Sequence, residues 1–194
     1  RINNLKQQVE LLYDINVANY ESADYVVFPT PRVVINNAKI ELKEKIVEGN
    51  SKNLTLVLNV KNLYNYDKES ILKEIELNSS SFKIQIEKIQ DILIYLNELN
   101  KKIKFSKSNL VFEEKNNKFL EIKNFKLSND KNGNFLVNGF FLKNELFAKY
   151  NNRNRFKKLV LQIPNIGLDL SVFFKEQSSL ENLGGNIKAK ILGT

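Results

Sequence analysis

Five basic residues gather in the segment KYNNRNRFKK, which is the densest candidate for binding chemistry in the sequence. They are Lys149, Arg153, Arg155, Lys157 and Lys158. Cationic side chains at this density bind phosphate, either in nucleic acid or in a lipid headgroup. Nucleic-acid binding also needs aromatic stacking platforms, and we expect Phe156 to begin the next strand instead. We therefore expect no nucleic-acid partner, and the segment is either a headgroup contact or a solvated loop between strands.

Catalytic chemistry has few residues to draw on, because the chain contains no His and no Cys. It therefore lacks the usual general base and the usual zinc ligands. Glu113 and Glu114 are adjacent, but neighbouring strand residues point to opposite faces, so we do not expect the two carboxylates to share a catalytic role. Asp130, Asn132 and Gly133 have part of a calcium-loop pattern, but the ligand rhythm and the closing Glu are missing, so a hairpin turn is expected. We predict no enzymatic activity, no metal site and no cofactor.

Charge and length set the broad class. The chain has 194 residues and a net charge of +8 at pH 7. A basic balance favours anionic partners, although Lys, Asn and Ile are abundant throughout, as is typical of an AT-rich genome. The sequence contains no apolar run long enough to span a membrane and no signal-peptide pattern. Because the chain starts at Arg1, we expect residues 1–194 to be a single module of a longer chain.

Two segments show helical spacing of apolar residues, and most of the remainder alternates like strands. Residues 2–13 predict a helix docked on a sheet. Residues 87–103 predict a helix that forms core or covers one open end of the sheet. The predicted strands are residues 32–42, 52–61, 72–86, 108–114, 118–128, 134–142, 145–150, 157–163, 166–174 and 186–192, with turns at NDKNG, NNRNR and LGGN between them.

Each predicted strand has one apolar face, and the chain has 13 Phe but no Trp. A sheet must cover such a face. We predict a mainly β fold with two short α-helices, in which a long curved antiparallel sheet forms an open groove. The alternative is a β-sandwich, in which a second sheet covers the apolar face.

The segment VVFPTPRVVINNAKIEL, residues 26–42, joins two strands through a corner that contains Pro29 and Pro31. Proline cannot donate to a sheet ladder, and it restricts the residue before it to extended geometry. With the helix LKQQVELLY before it and the step NAKIEL at its end, this region resembles the start of the AsmA family of diderm bacterial envelope proteins. Looser likenesses continue at residues 54–84 and in LGGNIKAKILGT, residues 183–194.

The resemblance implies a module that is anchored in the inner membrane by a segment upstream of Arg1 and projects into the periplasm. It also implies a curved sheet like that of the chorein-type bridge proteins, with an apolar groove. Such a groove would bind phospholipid acyl chains and support phospholipid movement between the inner and outer membranes, and with it outer-membrane homeostasis or assembly.

Apolar residues of the alternating segments are the expected lining of this groove. They are Val33, Ile35, Leu54, Leu56, Leu58, Phe82, Ile84, Phe112, Leu120, Ile122, Phe135, Val137, Leu168, Leu170 and Phe174. The five basic residues of KYNNRNRFKK are the expected headgroup contacts at a rim. A one-residue slip in register would move a strand's lining residues to the other face. The alternative function is a non-enzymatic structural or adaptor β-domain that docks other envelope proteins.

Overall fold

The computed structural model of the chain describes residues 2–42, 46–60, 71–115, 117–130, 132–153, 156–166, 168–175 and 187–191. The first half contains α1 (Ile2–Tyr13), β1 (Ile15–Asn19), β2 (Ser22–Val26), β3 (Arg32–Leu42), β4 (Val47–Leu58), β5 (Leu72–Gln85), a 3-10 turn (Ile86–Lys88) and α2 (Ile89–Glu98). The second half contains β6 (Lys102–Glu114), β7 (Asn117–Asn129), β8 (Phe135–Phe141), β9 (Asn144–Arg153), β10 (Phe156–Ile163), a 3-10 turn (Pro164–Ile166), β11 (Leu168–Lys175) and β12 (Ile187–Ile191).

The strands form one open sheet, as predicted. Its order is β1-β3-β4-β5-β6-β7-β8-β9-β10-β11-β12, and β2 pairs with β3 beside β1. The alternative of a β-sandwich is wrong, because all 12 described strands belong to this single sheet. The prediction of an antiparallel sheet is wrong at one pair, since β5 and β6 are parallel. Parallel neighbours need a crossover connection, and α2 lies in that connection.

The predicted bounds are correct for one helix and wrong for the other. The predicted range of α1 matches the observed bounds, whereas α2 ends at Glu98 and not at residue 103. Ile103 is instead fully buried in β6, where it pairs with Ile75. Several strand limits also differ from the predicted ones, most of all at β4, which begins at Val47, and at β6, which begins at Lys102. The predicted LGGN turn lies outside the described residues.

Four strand residues adopt a left-handed backbone conformation and mark a line across the sheet. They are Asn37 in β3, Ser79 in β5, Lys107 in β6 and Asn124 in β7, with φ between 48° and 54°. The strand pairing places them at neighbouring levels. At each one, two successive residues face the same side before the apolar alternation resumes, as in a β-bulge. Bulges bend a strand and increase its twist, so we infer that the sheet bends along this line.

Contacts between aromatic rings confirm the bend. Phe82 in β5 pairs with Leu110 in β6, five residues along that strand from Phe105. In a flat sheet, five residues of strand would separate the two Phe backbones by about 16 Å. The ring centroids of Phe82 and Phe105 are nevertheless only 5.4 Å apart. The two halves of these strands therefore face each other, and the concave side of the bend is called the inner face below.

Small side chains occupy the inner face where the bend is sharpest. They are Ala38, Ser51, Ser80 and Ser108, each no more than 3% exposed. The Ser80 hydroxyl donates to the Ser51 hydroxyl at 2.7 Å, and the Ser80 amide donates to the Ser108 hydroxyl at 3.3 Å. The small side chains leave room for the two halves of the sheet to approach, and the hydrogen bonds satisfy the buried hydroxyls.

Candidate functional site

A single row of apolar residues crosses ten strands on the inner face. Each residue pairs directly with the next, from β3 through β12. The row is Ile35, Leu54, Leu77, Phe105, Leu127, Val137, Ala148, Leu161, Leu170 and Ala189. Neighbouring strands lie about 4.8 Å apart, so a row across ten strands measures about 43 Å. We call it the apolar row.

The register places all of the predicted lining positions on the face that carries the apolar row. Val33 pairs with Leu56, Ile84 pairs with Phe112, and Phe112 pairs with Leu120. In the strands nearer the end of the chain, Leu170 belongs to the row itself, and Leu168 and Phe174 alternate with it along β11. Among the described residues of β3–β8 that pair with one another on this face, none is Asp, Glu, Lys or Arg.

The first part of the inner face is closed by packing. Val33, Ile35, Leu54 and Leu56 are fully buried, and Phe82 and Ile84 are 5% and 4% exposed. Side chains of the helical region belong to the same buried cluster, namely Leu5, Val9 and Tyr13 of α1 together with Tyr95 and Leu99. The two helices are joined by a hydrogen bond, in which the Tyr95 hydroxyl donates to the carbonyl of Tyr13 at 2.6 Å. The prediction that α1 docks on the sheet is confirmed.

Across β6–β8 the inner face is covered less completely: Phe125 and the predicted lining residue Phe135 are 4% and 6% exposed, but other apolar side chains are only half-buried. Its half-buried apolar side chains are Phe105, Leu110, Phe112, Leu120, Ile122, Leu127, Val137 and Phe141. Phe105, Leu110 and Leu127 were not selected from the sequence. Lys107 and Asn124 adopt the left-handed conformation and shift the alternation by one residue, so a strict two-residue period fails on these strands. The surface available to a ligand therefore begins at β6.

Two pairs of aromatic rings lie on the inner face of β6–β9. The rings of Phe105 and Phe125 lie 5.6 Å apart, and those of Phe135 and Tyr150 are stacked at 4.8 Å. Burial raises the pKa of Tyr150 to about 12. Such a lining offers large apolar contacts and very few oriented polar groups.

The opposite, outer face is polar and carries the ion pairs. Lys104 Nζ lies 2.9 Å from a Glu74 carboxylate oxygen and 3.2 Å from one of Glu76. The hydrogen bond that Lys104 donates to the Glu74 carboxylate raises the pKa of Lys104. Lys83 pairs with Glu113 at 3.0 Å. The ion pairs thus lie on the outer face, whereas the apolar row lies on the inner face.

The basic segment does not form a single patch. Lys149 is exposed on the outer face, where it pairs with Leu136. Lys157 pairs with Phe174, whereas Lys158 pairs with Phe173, so these two neighbours occupy opposite faces of the sheet. Arg153 ends β9, and Arg155 lies outside the described residues. Of this segment, the register places Lys157 beside the positions that continue the inner face.

The residues of the candidate calcium loop have a structural role instead. The Asp130 carboxylate accepts hydrogen bonds from the amides of Asn132 and Asn134 and from the Asn134 side chain. These bonds, the Asn134 side chain first among them, lower the pKa of Asp130 and close the predicted β7–β8 hairpin. Among the described residues, no three acidic side chains come together to hold a metal ion.

Comparisons with known proteins do not assign the chain to a family. No protein-family model matches the chain, and neither a curated protein nor a solved structure matches it. Within the described part of the chain, neither α1 nor α2 combines the length and the apolar character that a bilayer-spanning helix requires.

Proposed function

We propose that this chain is an AsmA-like envelope module whose inner face binds phospholipid acyl chains and supports phospholipid movement between the inner and outer membranes. The observation that carries the proposal is the apolar row, which is continuous over ten strands and half-buried from β6 to β10. On this proposal the module works on the periplasmic side of the inner membrane.

The driving force would be removal of acyl chains and of the exposed lining from water. Burying one methylene contributes about 0.8 kcal/mol, so a few methylenes on this surface outweigh the loss of mobility of the lining side chains. Lipid movement along a groove forms and breaks no covalent bond, which fits a chain that lacks His and Cys.

The packed part of the inner face limits where lipid would bind. Leu56 is fully buried and Ile84 is 4% exposed beneath the helical region. An acyl chain would have to displace packed side chains of their buried cluster, to which α1 contributes, in order to reach them. We therefore place the binding surface on β6 and the strands that follow, with β3–β5 and the helices as its closed end.

Leu110 and Ile122 provide the test, because they pair across β6 and β7 and are both half-buried on the inner face. The matched control is Val111, which is also half-buried but faces outward opposite Glu121. Native mass spectrometry and lipid extraction would be applied to the wild type, to L110N/I122N and to V111N. We expect phospholipid to copurify with the wild type and V111N, and to be lost from a folded L110N/I122N protein.

A second function, that of a closed adaptor domain, is favoured by the tight packing of β3–β5. It predicts that the folded wild type is free of lipid and refuses added phospholipid. That result would refute the lipid proposal. The apolar outer-face residues Leu136, Phe140 and Phe147, between 38% and 44% exposed, would then be the first surface to examine for a protein partner.

A further inference from the structure

The corner between β2 and β3, residues 27–31, exposes more apolar surface than most of the described chain. Val27 is 78% exposed and Phe28 is 85% exposed. Tyr25, two residues before the corner, is 59% exposed. The side chains that normally form a protein core therefore project into solvent at one end of the sheet.

Hydrogen bonds and prolines hold this corner in one conformation. The Leu58 amide donates to the carbonyl of Pro31 at 2.9 Å, and an Arg32 guanidinium nitrogen lies 3.4 Å from the carbonyl of Thr30. Val26 pairs with Arg32 at the base of the corner. Proline fixes its own φ angle, so the corner with Pro29 and Pro31 has little conformational freedom to lose when it binds.

The corner lies at the end of the sheet that also carries Arg32 and Lys102. Arg32, Val57, Glu74 and Lys102 form one register row across β3–β6. Glu74 in this row is already paired with Lys104. Arg32 beside the corner and a net charge of +8 favour a negatively charged partner.

We infer that the corner inserts Val27 and Phe28 into the surface of a lipid bilayer that contains anionic headgroups. A projecting tip needs no complementary pocket in a bilayer, whereas a protein partner would have to supply one. Tyr25 lies behind the tip, where a tyrosine suits the headgroup level, and Arg32 would contact anionic headgroups. The inference adds a membrane contact to the proposed lipid groove, but insertion itself does not require the groove to bind lipid.

The absence of Trp from the chain makes a direct test possible. F28W places a single fluorescent reporter in the corner. Its control is L142W, because Leu142 is 74% exposed in the β8–β9 turn at the opposite end of the strands. Both proteins would be mixed with phosphatidylcholine vesicles, with or without phosphatidylglycerol. Brominated lipids would serve as quenchers within the bilayer.

We expect F28W emission to shift to shorter wavelength and to be quenched, more strongly with phosphatidylglycerol present, while L142W stays in water. An unchanged F28W spectrum would overturn the inference, as would equal shifts for both reporters. The exposed substitutions V27S/F28S should weaken vesicle binding by at least about tenfold relative to L142S, and binding equal to that of L142S would also refute it.

The same variants distinguish a failure of this inference from a failure of the proposed lipid groove. The V27S/F28S protein should retain copurified phospholipid, because its changes lie away from the inner face. The L110N/I122N protein, carrying F28W, should still insert its corner. Insertion without groove lipid would refute the groove alone, and groove lipid without insertion would refute the corner alone.

Discussion

The ring of Phe82 lies directly against the backbone of Gly49 on the inner face of the β4–β5 pair. A Cβ atom built on Gly49 would be 2.4 Å from Cδ1 of Phe82 and 2.5 Å from the carbonyl oxygen of Ser81. The two residues are register partners. The missing side chain therefore lets the ring lie on the sheet and reach Phe105 across the bend.

We expect G49A to destabilise the fold by about 1–3 kcal/mol, as overpacking does in other cores. The ring could turn aside, but the Ser81 carbonyl belongs to the paired backbone and cannot. Urea unfolding followed by circular dichroism measures the change. The control is N50A, the exposed neighbour on the same strand, which should stay within about 0.5 kcal/mol of the wild type. Equal midpoints for G49A and the wild type would show that the bend does not depend on this contact.

Two buried tyrosines at the closed end of the inner face should respond in opposite ways to loss of the hydroxyl. Tyr95 donates to the carbonyl of Tyr13 at 2.6 Å, so Y95F leaves a buried acceptor without its partner and should cost about 1–2 kcal/mol. The Tyr13 hydroxyl is buried without a hydrogen-bond partner among the described residues. Y13F should therefore be neutral or stabilising.

Thermal and urea unfolding of the two variants check this contrast, since both substitutions remove one oxygen and retain the ring. A loss of stability in Y13F equal to that in Y95F would mean that the Tyr13 hydroxyl has a partner such as a bound water. The result bears on the site, because these residues join the helices that close the inner face.

Local patterns predicted much of this fold because most strands obey a strict two-residue period. The bounds of β3 and α1 agree with prediction to the residue, and the lining positions share one face. The parallel β5–β6 pair was missed because Ile103 continues the helical spacing of α2, and only its pairing with Ile75 reveals it as strand.

The extent of the candidate site was less predictable, because it depends on tertiary packing. Leu54 and Val137 belong to the same apolar row, yet Leu54 is fully buried and Val137 is half-buried. The difference arises from where α1 and Tyr95 dock, which the alternation of either strand does not encode. The bulges at Lys107 and Asn124 likewise need a left-handed backbone that Lys and Asn adopt only in context.

Alkaline pH should destabilise the protein through its buried tyrosines. Burial raises the pKa of Tyr150 to about 12, above the value of about 10 for an exposed tyrosine. Burial also raises the pKa values of Tyr13 and Tyr95. The folded state then holds its phenolic protons more tightly than the unfolded state. The contribution of these tyrosines to stability is therefore fully present below about pH 10 and declines as the pH rises towards about 12.

Urea midpoints measured across this pH window test the argument. Because Y150F removes one titrating group but retains the ring that stacks on Phe135, it should reduce the alkaline loss of stability by roughly 1–3 kcal/mol. Y25F, at a position 59% exposed, should leave the pH dependence as in the wild type. A Y150F protein with the wild-type pH dependence would show that Tyr150 titrates in solvent, and hence that the β8–β9 end of the inner face is open to water.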